Sequence, residues 1–583
     1  MIPPIALANE YSNSYKKRMV HRVHLTPFSE VFVPHIDEVD TQVDLQTIGT
    51  EISSLDTFKL RDLDKASGNI NSTIPTIPWR RIRTPRVGVL MSGEHALFIH
   101  QLIKNSGIYA IASIASPLVT LLIAPFLTHN LTHNEYGAFA ILITALALLA
   151  GITQLGLGSA FFRSYSYDYE SKRDRLDVLS TVVVLLLLVT TPISIAIIFT
   201  APWLSVFLFN DSSYIAAVRL VGVVALLQNL TVPGLAWLRA ESRAVLFSVV
   251  SVVNLLVSVG VTVIFVGVLD MGVVGSLMGV GSGYTAMLIC TLPIILLRAG
   301  VRLRLDIAAG LLSFGLPNVS NFVAVWILQL SDRFLLGHLG SLAQAASYSV
   351  AYSLGGSLGA IVLAPFTLAW PAAMFSIAKK NNAADIFSVV FRLYSMLLLF
   401  VALGISFVGV VVLDLFFPLS YHSAASVIPI IALSIVFYGA YNIITTGISI
   451  KRKTWFAVIF TSTSALFNVA LNLVLIPHFG SMGAAISTLF AYALLALLAY
   501  IVSQRIYPIP FEIGRFFVAL LVGVGLYAGS SILAQSRGTL TALSINLVAL
   551  VLYAGCLAIL LKLPRWDQGF NRKNEYTLKD IVS

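Results

Sequence analysis

Fourteen apolar runs, each close to twenty residues long, constrain this sequence more than any other feature. A helix needs about 20 apolar residues to cross the hydrocarbon core of a bilayer, so each run is long enough to span one. Charged residues make up only 11% of the 583-residue chain, whereas soluble domains carry about 25%. The runs also lack the alternating pattern, about ten residues long, of outer-membrane strands. The sequence therefore predicts an all-α polytopic membrane protein with about fourteen transmembrane helices.

The predicted spans follow one another with short turns and charged residues between them. They cover residues 106–128, 137–160, 177–200, 214–238, 244–267, 272–297, 308–331, 344–370, 386–413, 424–447, 455–476, 482–503, 513–535 and 540–562. We expect five parts: a polar extension at 1–104, a first lobe at 105–304 (spans 1–6), a second lobe at 305–507 (spans 7–12), a last pair of spans at 508–563, and a cytoplasmic tail at 564–583.

Basic residues are concentrated on one side of this predicted bundle. Seventeen Lys and Arg residues follow even-numbered spans, whereas the other side has only Arg219, Arg333 and Arg537. The positive-inside rule then places the even-numbered loops and both termini in the cytoplasm, as expected for a multi-pass protein of the cytoplasmic (inner) membrane. A miscount by one span would scramble this asymmetry. Because the basic residues are scattered among short loops, they do not indicate nucleic-acid binding.

Residues 1–104 differ from the rest of the chain because they are polar, proline-rich and free of long apolar runs. This composition predicts a poorly ordered cytoplasmic extension, and it lacks the pattern of a secretory signal peptide. Met91 opens a short amphipathic lead into the first span. We therefore expect residues 1–90 to be dispensable or to arise from a misassigned start, and loss of insertion or transport on their deletion would contradict this.

The seventh span is unusually polar for a segment that crosses a bilayer. At about 100° per residue, one narrow face of a helix over 315–340 gathers its polar side chains, with Arg333 at the edge of that face. The face consists of Asn318, Asn321, Val325, Gln329 and Asp332. Unpaired polar groups are costly in lipid, so this face is predicted to meet a protein interior or a water-filled cavity.

A weak internal repeat supports a division into two halves. The segment PFLTHNL at 125–131 resembles RFLLGHL at 333–339, which lies 208 residues further on. At the same offset, Gly272, Gly275 and Tyr284 recur as Gly480, Gly483 and Tyr492. Two six-span halves of parallel topology commonly enclose a central substrate site and rock about it.

Four segments together resemble a known family. They are LIKNSGIYAIAS at 102–113, the stretch at 124–165, GLPNVSNFVAVWILQLSDRFLLGHLG at 315–340, and LIPHFGSMGAAISTLFAY at 475–492. In order and spacing they resemble the Wzx-type polysaccharide flippases of the multidrug/oligosaccharidyl-lipid/polysaccharide exporter superfamily, over about 102–562. The resemblance implies two six-helix lobes around a central cavity and two extra helices. It also implies a polyprenyl-diphosphate oligosaccharide as substrate, moved to the outer leaflet within the membrane lipid, with the polysaccharide polymerase machinery as a partner.

Several side chains are candidates for contact with such a substrate. The planar guanidinium of Arg219 suits a phosphate, but snorkelling to the outer interface explains this residue equally well. Asp332 and Arg333 form either a gate or substrate contact, or a plain local ion pair. The amides of Asn318, Asn321 and Gln329 either bind sugar hydroxyls or pack against a neighbouring helix. Weaker candidates, which also suit contacts between helices, are Gln154 and Gln228.

Three arginines lie at predicted cytoplasmic mouths of the bundle: Arg163, Arg239 and Arg243. They either attract an anionic head group or serve as ordinary determinants of topology. An ion-coupling site would normally be a buried carboxylate near the bilayer midplane. The sequence places no acidic residue there with clarity, so coupling to protons, to sodium or to neither stays open, with Asp332 as one possibility.

Other functions of a multi-pass membrane protein are less well supported by the sequence than that of an oligosaccharide flippase. A small-cation exporter of the same superfamily would be expected to carry midplane acids, whereas a peptidoglycan-precursor flippase shares the fourteen spans and is harder to separate. A membrane polysaccharide polymerase or ligase would need a large extracytoplasmic loop, but the predicted outer loops are short. The loops also lack a nucleotide-binding glycine motif, a metal cluster and a carboxylate pair. We therefore expect a non-enzymatic transporter without a cofactor or metal.

Overall fold

The computed structural model describes residues 123–535 and 539–562, which contain helices and short connections without any β-strand. A helical segment at 123–130 comes first. The helices that follow are α1 (His133–Thr153), α2 (Leu157–Arg163), α3 (Lys172–Phe209), α4 (Ile215–Ala240), α5 (Ala244–Gly267), α6 (Gly272–Ala299), α7 (Leu305–Leu339), α8 (Leu342–Gly355), α9 (Ala364–Ile377), α10 (Ala383–Phe416), α11 (Ile428–Ile444), α12 (Thr446–Ile450), α13 (Trp455–Ile506), α14 (Ile513–Ala534) and α15 (Thr539–Lys562).

Within the described ranges, 12 helical segments are long and apolar enough to cross a membrane. One of them, α13, is 52 residues long and consists of two helices merged across a kink at Gly480. The prediction of an all-α polytopic membrane protein is confirmed. The count of fourteen stays a prediction, because most of the expected first span lies outside the described residues. The predicted extension at 1–104 and the tail at 564–583 also lie outside them.

Helix pairing divides the described helices into groups. The first group contains α1 to α6, in which α3 packs on α4, α5 on α6, and α4 on α6. In the second, α10 and α13 both pack on α11, and the last two helices, α14 and α15, pack on each other and on α10. The helices α7 and α8 contact both groups, since α7 packs on α1 and α13, and α8 packs on α1 and α11. We refer to the two groups as the first and second lobes, and we count α7, α8, α9 and α12 with the second.

Successive crossings of the bundle alternate in direction, with α1 and α2, α8 and α9, and α11 and α12 each forming one crossing, so the helix ends gather at two ends of the bundle. We call one of them the basic end. It contains the connections at 163–172, 240–244, 299–305, 377–383, 450–455 and 506–513. The other, which we call the opposite end, contains the connections at 209–215, 267–272, 339–342 and 416–428. At the opposite end, one hydrophobic core joins both lobes, from Leu127 to Ala485. Toward the basic end the lobes have separate cores. The lobes are therefore held together most firmly at the opposite end.

Local sequence explains where the helices begin and break. Thr132 caps α1 in a capping box, in which its hydroxyl accepts from Glu135 N and the Glu135 carboxylate accepts from Thr132 N. The predicted second span breaks after Thr153, because Leu155 and Gly156 both adopt positive φ, at 51° and 66°. Gly480 has φ 54° at the kink in α13, a conformation that glycine adopts at little cost.

Candidate functional site

The helix α7 is the central element of the candidate site because it contacts both lobes. Its Trp326 Nε1 donates to the carbonyl oxygen of Thr144 in α1, at 3.1 Å. Nearer the basic end, Asn318 Nδ2 lies 3.4 Å from Ser159 Oγ in α2. The other side of α7 packs along α13. The polar face predicted from the sequence therefore passes from the space between the lobes into the second lobe.

Asp332 lies at the centre of a fully buried polar cluster in the second lobe. Its Oδ2 accepts from the hydroxyls of Tyr348 and Thr488, both at 2.6 Å. Its Oδ1 accepts from Asn472 Nδ2 at 2.7 Å, and the same amide nitrogen donates to Asn468 Oδ1 at 3.0 Å. We call these five residues the Asp332 cluster. All three donors to the carboxylate are neutral, so they stabilise its negative charge without neutralising it.

The Asp332 cluster has no counterpart in the first lobe. At the 208-residue offset of the internal repeat, the five positions carry only small or aliphatic residues. They are Ala124, Ala140, Gly260, Ile264 and Val280. A buried carboxylate is expensive in a membrane and usually serves a function. The second lobe alone therefore carries this polar interior.

Arg333 faces a different environment from its neighbour Asp332. Its guanidinium lies 4.5 Å from the centre of the Tyr352 ring and 5.8 Å from that of Tyr348. Its Nη1 also lies 3.4 Å from the carbonyl oxygen of Gln329. Within the described residues no ion pair joins Asp332 to Arg333, in contrast to the pair considered from the sequence. The reason is geometric: consecutive residues project about 100° apart on a helix.

The remaining residues of the predicted face occupy a range of environments. Asn318 and Asn321 are exposed, in the middle turns of α7, whereas Gln329 is half-buried. Arg219 is exposed in the second turn of α4, close to the opposite end. The structure thus does not bring Arg219 and Asn318 into one compact cluster, although both side chains have room to meet a ligand.

Two weaker candidates lie near a buried network in the first lobe. Asn229 Nδ2 donates to Thr153 Oγ1 at 2.5 Å and to Thr190 Oγ1 at 3.2 Å, which ties together α1, α3 and α4. Gln228 is half-buried, and its buried Oε1 lacks a hydrogen-bond partner in the described part of the chain. Gln154 caps the end of α1, directly before the break.

The break after Thr153 produces a very close contact between the lobes. Gly156 and Gly315 approach so closely that a Cβ on Gly315 would overlap the carbonyl oxygen of Leu155. A Cβ on Gly151 would likewise overlap the ring of Phe322. The contact at Gly156 and Gly315 needs glycine because the two backbones themselves touch, whereas Gly151 leaves room for the ring of Phe322. Glycine therefore permits α7 to lie against the broken helix in this state.

At the opposite end, polar and aromatic contacts join the lobes. His133 Nε2 lies 3.1 Å from Ser347 Oγ, which also accepts from Ser423 Oγ at 3.1 Å. The ring of Tyr421 packs against His133 and, edge-on, against Tyr136. Tyr421 lies in the connection before α11, and burial raises the pKa of its hydroxyl. These contacts connect the two lobes at the opposite end, beside a cavity of about 350 Å³ that His133, Ser347 and Ser423 help to line.

The three arginines predicted at the mouths all lie at the basic end. Arg163 is exposed, lies 3.6 Å from Asp168, and its guanidinium covers the Phe314 ring of α7 at 4.9 Å. Arg239 lies over the rings of Phe162 and Phe247. Arg243 lies over the Trp237 ring. Arg163 therefore links the lobes, whereas Arg239 and Arg243 lie over aromatic rings of the first lobe.

A connection at the basic end also fixes the start of α7. Arg304 bonds to the carboxylates of Asp306 and Asp174, and these bonds raise the pKa of its guanidinium above its ordinary value. The hydroxyl of Ser180 in α3 donates to the carbonyl oxygens of Gly300 and Arg302. The segment that joins the lobes is thus anchored to α3.

Sequence reasoning missed Tyr348, Asn468, Asn472 and Thr488 of the Asp332 cluster. One signal was present, because Asn468 and Asn472 lie four residues apart in an apolar span and so share a face. The pairing with Asp332 was not visible, since it depends on α7, α8 and both halves of α13 meeting in space.

An all-helical bundle with 12 segments long and apolar enough to cross a membrane, within the described ranges, defines this protein as a multi-pass membrane protein. Residues 126–426 match the model of a family described as "Polysaccharide biosynthesis protein". Because the match spans more than half of the chain, the protein belongs to this family. The resemblance to the Wzx-type flippases of the exporter superfamily is thereby confirmed.

Solved structures show the same fold. The lipid II flippase MurJ, in an inward closed conformation, is 16% identical with a TM-score of 0.62, over 77% of this chain and 98% of that one. An inward-facing multidrug resistance transporter of the MATE family, from the MOP superfamily, is 16% identical with a TM-score of 0.51, over 68% of this chain and 97% of that one. A search of curated proteins found no match.

Proposed function

We propose that this protein is a flippase that moves a lipid-linked oligosaccharide across the cytoplasmic membrane for surface polysaccharide synthesis. The observation that carries the proposal is the polar face of α7 between two lobes, in a chain of a polysaccharide biosynthesis family. Amides such as those of Asn318 and Asn321 suit sugar hydroxyls, and the guanidinium of Arg333 suits a diphosphate. The proposed substrate is an undecaprenyl-diphosphate-linked oligosaccharide, whose tail stays in the lipid while its head crosses between the lobes.

The proposed orientation places the basic end in the cytoplasm. The charge bias supports it, since the connections at this end and the helix segments next to them carry most of the Lys and Arg residues of the membrane part. In this orientation, the shared core and the contacts of His133 connect the lobes at the outer side. Alternating access then requires these contacts to separate while the lobes approach at the cytoplasmic side.

We further propose that the Asp332 cluster couples transport to a proton or a monovalent cation. The carboxylate is fully buried and accepts only neutral hydrogen bonds, so a bound cation or proton would remove an uncompensated charge. Oxygen atoms of Thr488 and the two asparagines could complete a site for a small hard cation. Because the cluster joins α7, α8 and α13, its occupancy would affect how α7 packs within the second lobe.

Complementation tests the proposed function. The gene is expressed in a strain that lacks its own oligosaccharide flippase, and the surface polymer is measured. We expect Arg333→Ala to lower the polymer about tenfold or more, the effect of losing a hydrogen bond to a charged group, and Arg333→Lys to lower it less. Lys379→Ala, an exposed basic-end control, should leave the polymer unchanged. Undiminished polymer in Arg333→Ala at normal protein levels would contradict the assigned contact.

Two further assays separate the related functions. A peptidoglycan-precursor flippase would restore growth to cells depleted of their own such flippase, whereas a drug exporter would raise resistance to organic cations. Restoration of surface polymer, with neither of these effects, supports the proposal. The proposal would be overturned if the protein restored polymer in none of the strains tested that carry the matching glycosyltransferases.

A further inference from the structure

A cavity at the basic end of the first lobe lies within this lobe, apart from the polar face of α7. It has a volume of about 610 Å³ and lies between the start of α3 and the ends of α4 and α6. Its charged lining residues are Lys172, Arg175, Arg298, Glu170 and Glu241. The aromatic residues Tyr165 and Trp237 also line the cavity.

The positive charges of this cavity are not neutralised by its carboxylates. Within the described residues, Lys172, Arg175 and Arg298 form no ion pair within 4.0 Å. The carboxylate of Glu241 instead accepts from the hydroxyl of Tyr165, at 2.5 Å. Three cations and two carboxylates therefore line one cavity, which leaves it a formal net charge of +1 and three cationic groups outside any ion pair, an arrangement that attracts an anion.

Two of these cations are held in place by aromatic rings. Arg298 lies over the Trp237 ring at 5.4 Å, as does Arg243. Trp237 itself is only 4% exposed. Arg175 lies 5.8 Å from the ring centre of Tyr165, and its Nε donates to the carbonyl oxygen of Tyr169. Their guanidiniums are thus preorganised, so binding a ligand would cost less side-chain entropy.

We propose that this cavity binds a phosphate group, and that its source is an anionic phospholipid of the cytoplasmic leaflet. Guanidinium and ammonium groups are the usual protein partners of phosphate. The cavity lies where α3, α4 and α6 reach the basic end, at the level of lipid head groups in the orientation proposed above. A soluble phosphate compound would present the same chemistry from the cytoplasm. The proposal uses that orientation but is independent of what the protein transports.

Binding of lipid to the purified full-length protein tests the proposal. Mixed micelles with phosphatidylglycerol, or with phosphatidylcholine as the neutral comparison, are titrated while the thermal midpoint is followed. We expect phosphatidylglycerol to stabilise the protein and the double variant Lys172→Gln/Arg298→Gln to weaken its apparent affinity about 25-fold, or about fivefold for each charge. The paired change Lys172→Arg/Arg298→Lys keeps both charges and should retain binding.

A matched control separates this site from general charge effects. Lys379→Gln/Lys380→Gln removes the same two charges from exposed positions at the same end of the bundle, in the second lobe. We expect it to change the affinity less than about twofold. Equal weakening by both double variants, or no weakening by the first, would overturn the proposal. The midpoint without lipid shows whether each variant is folded.

A titration with inorganic pyrophosphate in place of the lipid distinguishes a membrane lipid from a soluble phosphate compound as the ligand. Stabilisation by phosphatidylglycerol that pyrophosphate does not reproduce supports a membrane lipid as the ligand. Stabilisation by pyrophosphate of equal size, lost in Lys172→Gln/Arg298→Gln, would keep the phosphate site and overturn the assignment to lipid.

Discussion

Substitution of Asp332 has consequences that follow directly from its three hydrogen bonds. In Asp332→Ala, Tyr348, Asn472 and Thr488 all lose their acceptor in a fully buried site. Thr488 Oγ1 already lies 3.0 Å from the carbonyl oxygen of Ala484 and can donate there. Two hydrogen bonds are then lost without replacement, that of the Tyr348 hydroxyl and one of the two made by Asn472 Nδ2, which keeps Asn468 Oδ1 at 3.0 Å. Buried polar contacts in membranes contribute about 0.6 to 1.7 kcal/mol each, so the folded state should lose about 1–3 kcal/mol.

Asp332→Asn should behave differently because the introduced amide side chain retains one acceptor oxygen. That oxygen can still accept from Tyr348 and Thr488. Its amide nitrogen can donate to Asn472 if Asn472 and Asn468 both turn their amides by 180°. Asn472 Oδ1 and Asn468 Nδ2 have no partner in the described part of the chain, so the bond between the two asparagines is then kept with its direction reversed. We therefore expect Asp332→Asn to fold almost as stably as the wild type while losing the charge that would bind a cation.

Thermal unfolding of the purified protein in detergent, followed by loss of the monodisperse peak, measures both effects. Asp332→Ala should lower the midpoint by several degrees, whereas Asp332→Asn should not. Titration with sodium, and separately with acid, should raise the midpoint of the wild type but not of Asp332→Asn. Asp414→Asn, an exposed acid 3.5 Å from His422, is the control and should change little. Wild-type stability of Asp332→Ala would refute the hydrogen-bond reasoning, and an unchanged cation response in Asp332→Asn would refute coupling.

Three further substitutions test the contacts of the lobes. Gly315→Ala should prevent the close approach of α7 to the broken helix, and it should raise cysteine labelling between the lobes at the basic end. Gly310→Ala is the control and should not raise the labelling, because Gly310 has open space around it. Asn229→Ala removes both hydrogen bonds of its amide and should lower the thermal midpoint by the equivalent of about 1 kcal/mol; an unchanged midpoint would contradict this. Trp326→Phe removes the bond to Thr144 at a cost of about 0.5–1.5 kcal/mol, and a larger loss would indicate that ring packing dominates.

The class of fold was predictable because each span carries its own signal. An apolar run about 20 residues long must satisfy its backbone as a helix in a bilayer, whatever its neighbours do. The predicted spans from 177–200 to 272–297 accordingly agree with α3 to α6, although the helices extend further at several ends. The break at Leu155 and Gly156 was not predicted, because it is stabilised by contact with Gly315 in the other lobe.

The sequence by itself determined that this is a helical membrane protein, that α7 is its most polar helix, and that basic residues gather at one end. Those properties are sums over neighbouring residues, so a single chain is enough to reveal them. Only the tertiary structure decided that Asp332 and Arg333 do not form an ion pair with each other, and that Asp332 is buried with Asn472 and Thr488. These residues lie 140 and 156 positions away, and their meeting depends on how helices pack, which local periodicity does not specify.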